Sequence, residues 1–170
     1  MAQPHVFDPA LSTANTWLRQ VMTSLDLPAG DEGRALHALR AGLHSLRDRL
    51  PAAEVIDLGA QLPTLIRGIY FEGWKLTHDP SRIRDRSEMI ERVRKELAPD
   101  MRLDPVDVLR SVIELLTEHV SVGELKDIVA TFPKPIASLW QDLSGHALDT
   151  LSSSQQPKKP RETHRTGYSR

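Results

Sequence analysis

The chain has 170 residues, 39% of them hydrophobic and 26% charged, which is room for one ordinary domain or two small ones. It holds no cysteine, which excludes disulfides, thiolate nucleophiles and cysteine-ligated zinc. The net charge of −1 conceals an asymmetry: residues 155–170 carry +4 through Lys158, Lys159, Arg161, Arg165 and Arg170 against Glu162, and the remaining −5 makes a body ill suited to gripping phosphates.

Met1 to Phe7 shows no basic stretch followed by an apolar run, so no secretory signal is predicted. A first helix is predicted from Ser12, a plausible N-cap, through Trp17, Leu18, Val21 and Leu25, with a breaker at Leu27-Pro28-Ala29-Gly30-Asp31. The second helix, about Gly33 to Leu50, carries a seam of Leu36, Leu39, Leu43, Leu46 and Leu50 at three- and four-residue spacing. Pro51 begins a short third helix through Val55, Leu58 and Leu62. Pro63 sits in the first turn of a fourth, through Leu65, Ile66, Ile69 and Tyr70. After a loop broken by Asp79-Pro80, Asp85 and Glu88 form a possible capping box before Met89, Ile90, Val93 and Leu97. Asp104-Pro105 starts another helix, and Ser121 with Glu124 forms a second capping box. No segment sustains period-two alternation, so no sheet is predicted. No stretch reaches the ~18 apolar residues of a membrane span.

The second half repeats the first at a shift of 70 residues. Leu36, Leu39, Leu43, Leu46 and Leu50 fall on Val106, Leu109, Ile113, Leu116 and Val120. Val55, Leu58, Leu62, Ile66 and Ile69 fall on Leu125, Ile128, Phe132, Ile136 and Leu139. Arg40, Glu54, Asp57 and Pro63 recur as Arg110, Glu124, Asp127 and Pro133, a match that apolar periodicity alone does not produce. The predicted fold is all-α: two tandem four-helix units related by an internal repeat, packed about a pseudo-twofold axis. The divisions are a flexible N-terminus over 1–11, a first unit over 12–76, a linker loop over 77–84, a second unit over 85–143 and a disordered basic tail over 144–170. The tail contains too little apolar surface to offset its ordering entropy.

Residues shared by both halves point to the common scaffold, and those unique to one half to specialised function. Arg40 and Arg110 flank the seams, and the pairs Glu54/Glu124 and Asp57/Asp127 are their expected ion partners. Arg47 and Arg49 belong to the first half only, at a helix C-terminus whose dipole they complement. Arg67-Gly68-Ile69-Tyr70-Phe71-Glu72-Gly73-Trp74 is the most unusual stretch, with three of the chain's eight aromatics in five residues. Gly68 inside a helix costs about 1 kcal/mol against alanine, which suggests a close helix approach there. Arg40, Arg47, Arg49, Arg67, Tyr70, Glu72 and Trp74 are therefore the candidate binding residues, since arginine and aromatics make interface anchors.

His37 and His44 lie too far apart to share an ion. His44 with Asp48 lacks the third ligand a catalytic zinc needs, so no metal site is predicted. Phosphate-binding glycine loops and a nucleophile elbow are absent, and no cofactor is implied. His44 and Glu72 are the only nominees for acid–base work, so an enzyme is not the expectation. The reading is a non-enzymatic protein-interaction or scaffold module, meeting a partner protein or another copy of itself. The alternative is a binder or sensor of a small anionic ligand held between the units by Arg40, Arg47 and Arg67. Nucleic acid is expected to engage only the basic tail.

The run Leu39-Arg40-Ala41-Gly42-Leu43-His44-Ser45-Leu46-Arg47-Asp48-Arg49-Leu50-Pro51 has a family likeness. With Gln61-Leu62-Pro63, Arg67–Trp74, His119-Val120-Ser121, Gly123-Glu124 and Leu139-Trp140, it resembles a bacterial family known as domain of unknown function 2267, from about Ser12 to Trp140. Phe132-Pro133 stands where Leu-Pro is usual, and Gly42 where a larger apolar residue is more common. The resemblance implies a helical architecture and a bacterial, cytoplasmic setting. It implies no activity or cofactor.

Overall fold

The computed structural model describes residues 5–77, 79–80 and 82–145. The predicted tail lies outside them from residue 146 onward. Among the described residues there are eight α-helices and no strand. They are α1 (Asp8–Ser24), α2 (Glu32–Arg47), α3 (Ala52–Gln61), α4 (Thr64–Phe71), α5 (Arg86–Glu96), α6 (Pro105–His119), α7 (Val122–Thr131) and α8 (Lys134–Leu143), with a 3-10 turn at Pro99–Met101. None of these helices is long and apolar enough to cross a membrane.

Several helix starts follow the expected chemistry. Asp85 accepts from the Glu88 amide at 2.9 Å, and Asp104 accepts from the amides of Val106 and Asp107, satisfying donors left over at a helix N-terminus. Ser121 accepts from the Glu124 amide at 3.3 Å. Neither expected box closes on its own cap residue. Glu88 takes the Arg84 amide instead, and the Glu124 carboxylate takes Gln61. Ser12 is not a cap: α1 begins at Asp8, with Pro9 in its first turn, so the last residues of the stretch expected to be flexible are helical. Ser12 instead gives its carbonyl to the Thr16 hydroxyl, inside the helix.

The core is one continuous cluster rather than two. It runs from Trp17 and Val21 through Leu39, Leu43 and Leu46 to Leu109, Ile113, Leu116 and Trp140. Contacts between helices recur in matched pairs. α2 crosses α6 and α3 lies on α7. α1 rests on both α2 and α6, and α5 on both α6 and α2.

The α2–α6 crossing is tight at one place. A Cβ on Gly42 would stand 2.5 Å from Val112 Cγ2 and 3.0 Å from its Cβ. Val112 lies 70 residues beyond Gly42 in the chain. Glycine here lets the backbones approach, and valine, stiff at χ1 within a helix, fills the space. Gly42→Ala is expected to destabilise by about 1–3 kcal/mol through overpacking. Adding Val112→Ala should recover part of that loss. A urea-denaturation double-mutant cycle measures the coupling, and additive effects would contradict the close approach.

Candidate functional site

One face of α2 presents Arg40, His44 and Arg47 at spacings of four and three, and all three reach the C-terminal end of α4. Helix C-termini leave carbonyls without intrahelical partners, and cations there oppose the dipole. Arg47, only 5% exposed, donates through Nη1 to the Tyr70 carbonyl and to the Glu72 carbonyl at 2.8 Å. Its Nε and Nη2 both stand 2.7 Å from Asp48 Oδ1. Asp48 is itself buried and takes Arg92 of α5 at 2.8 Å on its other oxygen. Arg92 continues to Glu96 at 3.0 Å. A buried guanidinium is tolerable because its donors meet a carboxylate and two carbonyls.

His44 Nε2 lies 2.7 Å from the Ile69 carbonyl. A carbonyl only accepts, so Nε2 carries the hydrogen. Burial pushes the imidazole below its usual pKa. The Ile69 carbonyl and Asp48 oppose that shift, while Arg47 adds to it. Arg40 meets the Glu72 carboxylate at 2.7 Å, and this hydrogen bond holds Glu72 below the ordinary glutamate range. Glu72 thus ends in an ion pair at the surface and His44 in a backbone contact. The two nominees for acid–base work are both occupied as cap and tether.

The other candidates divide. Tyr70 is wholly buried, its hydroxyl has no partner, and burial raises its pKa. Arg49 leaves this end of α4 and donates from Nε to the Ile83 carbonyl at 2.7 Å, fastening the segment before α5. Arg67 is exposed and donates to the carbonyls of Ala60 and Leu62, closing the α3–α4 turn. Trp74 is half-buried, with its ring 5.7 Å from Phe71, which in turn sits edge-on to Tyr70 at 5.1 Å. Arg40, Arg47, Tyr70, Glu72 and Trp74 therefore gather at the end of α4, while Arg49 and Arg67 serve neighbouring turns.

Two expectations are corrected. Gly68 is not a helix contact, because it is exposed and a Cβ there meets nothing within 4 Å. Close packing in this region falls to Gly59, where a Cβ would stand 2.5 Å from Phe71 Cζ. The shared arginines do not pair with the shared acids either. Arg40 takes Glu72, and Arg110 takes Asp107 one turn back on its own helix. Glu54, Asp57, Glu124 and Asp127 instead come together where α3 meets α7. There Glu124 is raised by desolvation and then by the repulsion of the other three.

His44 and Asp48 share no third ligand: among the described residues no group of three His, Cys, Asp or Glu side chains could hold a metal. Sequence reasoning missed a second polar seam, between α1 and α6. There Gln20 donates to Glu118 at 2.8 Å, Ser24 donates to Glu114 at 2.9 Å and His119 stacks on Trp17 at 4.6 Å. The only signal for it was the polar stripe Thr16, Gln20, Thr23 and Ser24 on a helix read for its apolar face.

Compared with known families, residues 14–139 match the one described as uncharacterized conserved protein (DUF2267). No curated protein matches the chain.

The sign of the His44 shift sets a pH dependence. Its folded pKa is lowered, so its contribution is complete above the unfolded value near 6.5 and is lost as pH falls below it, because the unfolded chain takes up the proton first. Stability should drop between pH 7.5 and pH 5 by urea denaturation. In His44→Gln, whose amide can still donate to Ile69, the drop should shrink. An identical drop would remove His44 as its source. Arg47→Met, which strands the two carbonyls and weakens the pairing of Asp48, should cost about 3–5 kcal/mol, read in the same assay.

Proposed function

This chain belongs to the DUF2267 family, and we propose that it acts as a non-enzymatic protein-interaction module, built from two helical units related by internal doubling. The single observation that carries the interaction reading is the apolar shelf past the end of α4. Phe71 and Trp74 are only partly buried there, and Leu76, two residues on, is 68% exposed. Rigid aromatics on a fixed frame lose little entropy on docking, and the Arg40–Glu72 ion pair supplies a polar rim. The frame is fixed because Arg47 and His44 hold the last turn of α4 from below.

The doubling is supported by the lengths of the elements. Moved by 70 residues, α3 coincides with α7 end to end, and α4 starts where α8 starts. The burial pattern of residues 35–43 is also that of 105–113. A bacterial cytoplasm is the setting this reading assigns.

The anionic-ligand alternative finds less support. Arg40, Arg47 and Arg67 each donate to protein acceptors: the Glu72 carboxylate, the Tyr70 carbonyl and the Ala60 carbonyl. Trp74→Ala with Leu76→Ala should reduce partner recovered by affinity capture from the native host about tenfold or more, with helical circular dichroism unchanged, since hot-spot aromatics are worth ~2 kcal/mol or more. Undiminished recovery by a folded double variant would end this reading.

A further inference from the structure

The seam between α1 and α6 opens into a surface groove of about 450 Å³ lined by Thr16, Arg19, Gln20, Thr23, Ser24, Glu114 and Glu118. A smaller pocket of about 80 Å³ continues it inward to Ser111 and Leu115. Glu114 and Glu118 are four apart on α6, so their carboxylates project side by side. Each accepts one hydrogen bond from a neutral α1 side chain, Ser24 to Glu114 Oε2 and Gln20 to Glu118 Oε1. Among the described residues no cation stands within ion-pair distance of either. Arg19 is at the groove's edge, but its guanidinium is turned to Thr16 Oγ1 at 3.1 Å. At the inner end Ser111 is 2% exposed, and its hydroxyl has no hydrogen-bond partner. A paired carboxylate wall and an unused hydroxyl make a receptor for a donor-rich cation.

The α2–α5 seam offers a comparison. α5 lies along α2 as α1 lies along α6. Glu118 is 70 residues beyond Asp48. Arg92 and Glu96 on α5 are spaced as Gln20 and Ser24 are on α1. In that sister seam Arg92 Nη2 bridges Asp48 at 2.8 Å and Glu96 at 3.0 Å. Where the sister seam carries its own guanidinium, the α1–α6 seam carries neutral Gln20 and a second acid, Glu114. We propose that the α1–α6 groove binds a guanidinium group, its planar fork of donors shared between Glu114 and Glu118. The site lies apart from the α4 shelf, so its failure would leave the interaction reading of Trp74 and Leu76 standing. An arginine of another molecule could supply the group, and so could Arg161, Arg165 or Arg170 of this chain.

The test is a titration of the full-length, 15N-labelled chain with N-acetyl-arginine amide, using N-acetyl-norleucine amide as the uncharged control. Saturable shifts at the amides of Gln20, Ser111 and Glu118 are expected with the arginine probe and not with the control. Glu114→Gln combined with Glu118→Gln should weaken binding at least about tenfold. Gln20→Arg provides a second variant, placing on α1 the group that Arg92 supplies on α5. It should compete with the probe and weaken it similarly while the chain stays folded. Probe binding that is absent, or that is equal in wild type and both variants, overturns the proposal. A full-length chain with Arg161, Arg165 and Arg170 changed to Gln identifies the source. Tighter probe binding than wild type assigns the groove to the chain's own arginines, and equal binding assigns it to another molecule.

Discussion

A guanidinium buried at the end of a helix organises half of this molecule. Arg47 projects from the last turn of α2 into the C-terminus of α4, where carbonyls of Tyr70 and Glu72 have lost their helical partners. A charge taken out of water is held there because Asp48, the next residue, lies along the same group and both carbonyls accept from it. Asp48 then draws Arg92, and with it α5, against α2. One chain of polar contacts thus spans α4, α2 and α5. An apolar core alone would leave their relative rotation loosely set, because hydrophobic burial has no direction. His44 and Arg40 extend the same face of α2 to the Ile69 carbonyl and the Glu72 carboxylate. The aromatic segment after α4 is consequently displayed from a rigid support.

The second constraint is steric. Gly42 and Val112 meet at the α2–α6 crossing, and no other packed residue of α2 is as small as hydrogen at its α-carbon. A larger apolar residue at position 42 would not fit against Val112 at this separation. Gly42 and Val112 are therefore a matched pair, each sized to the other.

The polar contacts of α2 and α6 differ in kind. α2 uses its C-terminal turn to cap α4 and to hold Arg92. The C-terminal part of α6 carries Glu114, Thr117 and Glu118, and the two glutamates accept from the Ser24 hydroxyl and the Gln20 amide on α1. The difference between the α2 and α6 seams is thus one of charge: Arg47, Asp48 and Arg92 in one, Glu114 and Glu118 in the other. That is where two similar halves can differ without disturbing the core, because exposed or half-exposed polar groups carry little packing energy.

The helices, their order and most of the buried residues were legible in the chain's periodicity and capping residues. Leu39, Leu43, Leu46, Val55, Leu58 and Ile66 are buried as their spacing required, because amphipathic period and capping chemistry act within a few residues. The sequence also flagged the Arg67–Trp74 stretch, by its glycine and aromatic content. What it did not determine were the partners. Arg40 was read toward the shared acids and found Glu72, 32 residues away. Gly68 was read as the close approach, which instead belongs to Gly42 and Gly59. Arg47, expected to complement the dipole of its own helix, is buried and caps the end of α4 instead. Partner choice depends on which helix end or face arrives opposite a side chain, and that is fixed by long-range packing. Only the tertiary structure decided that α4 ends against α2, and so that the arginines became braces.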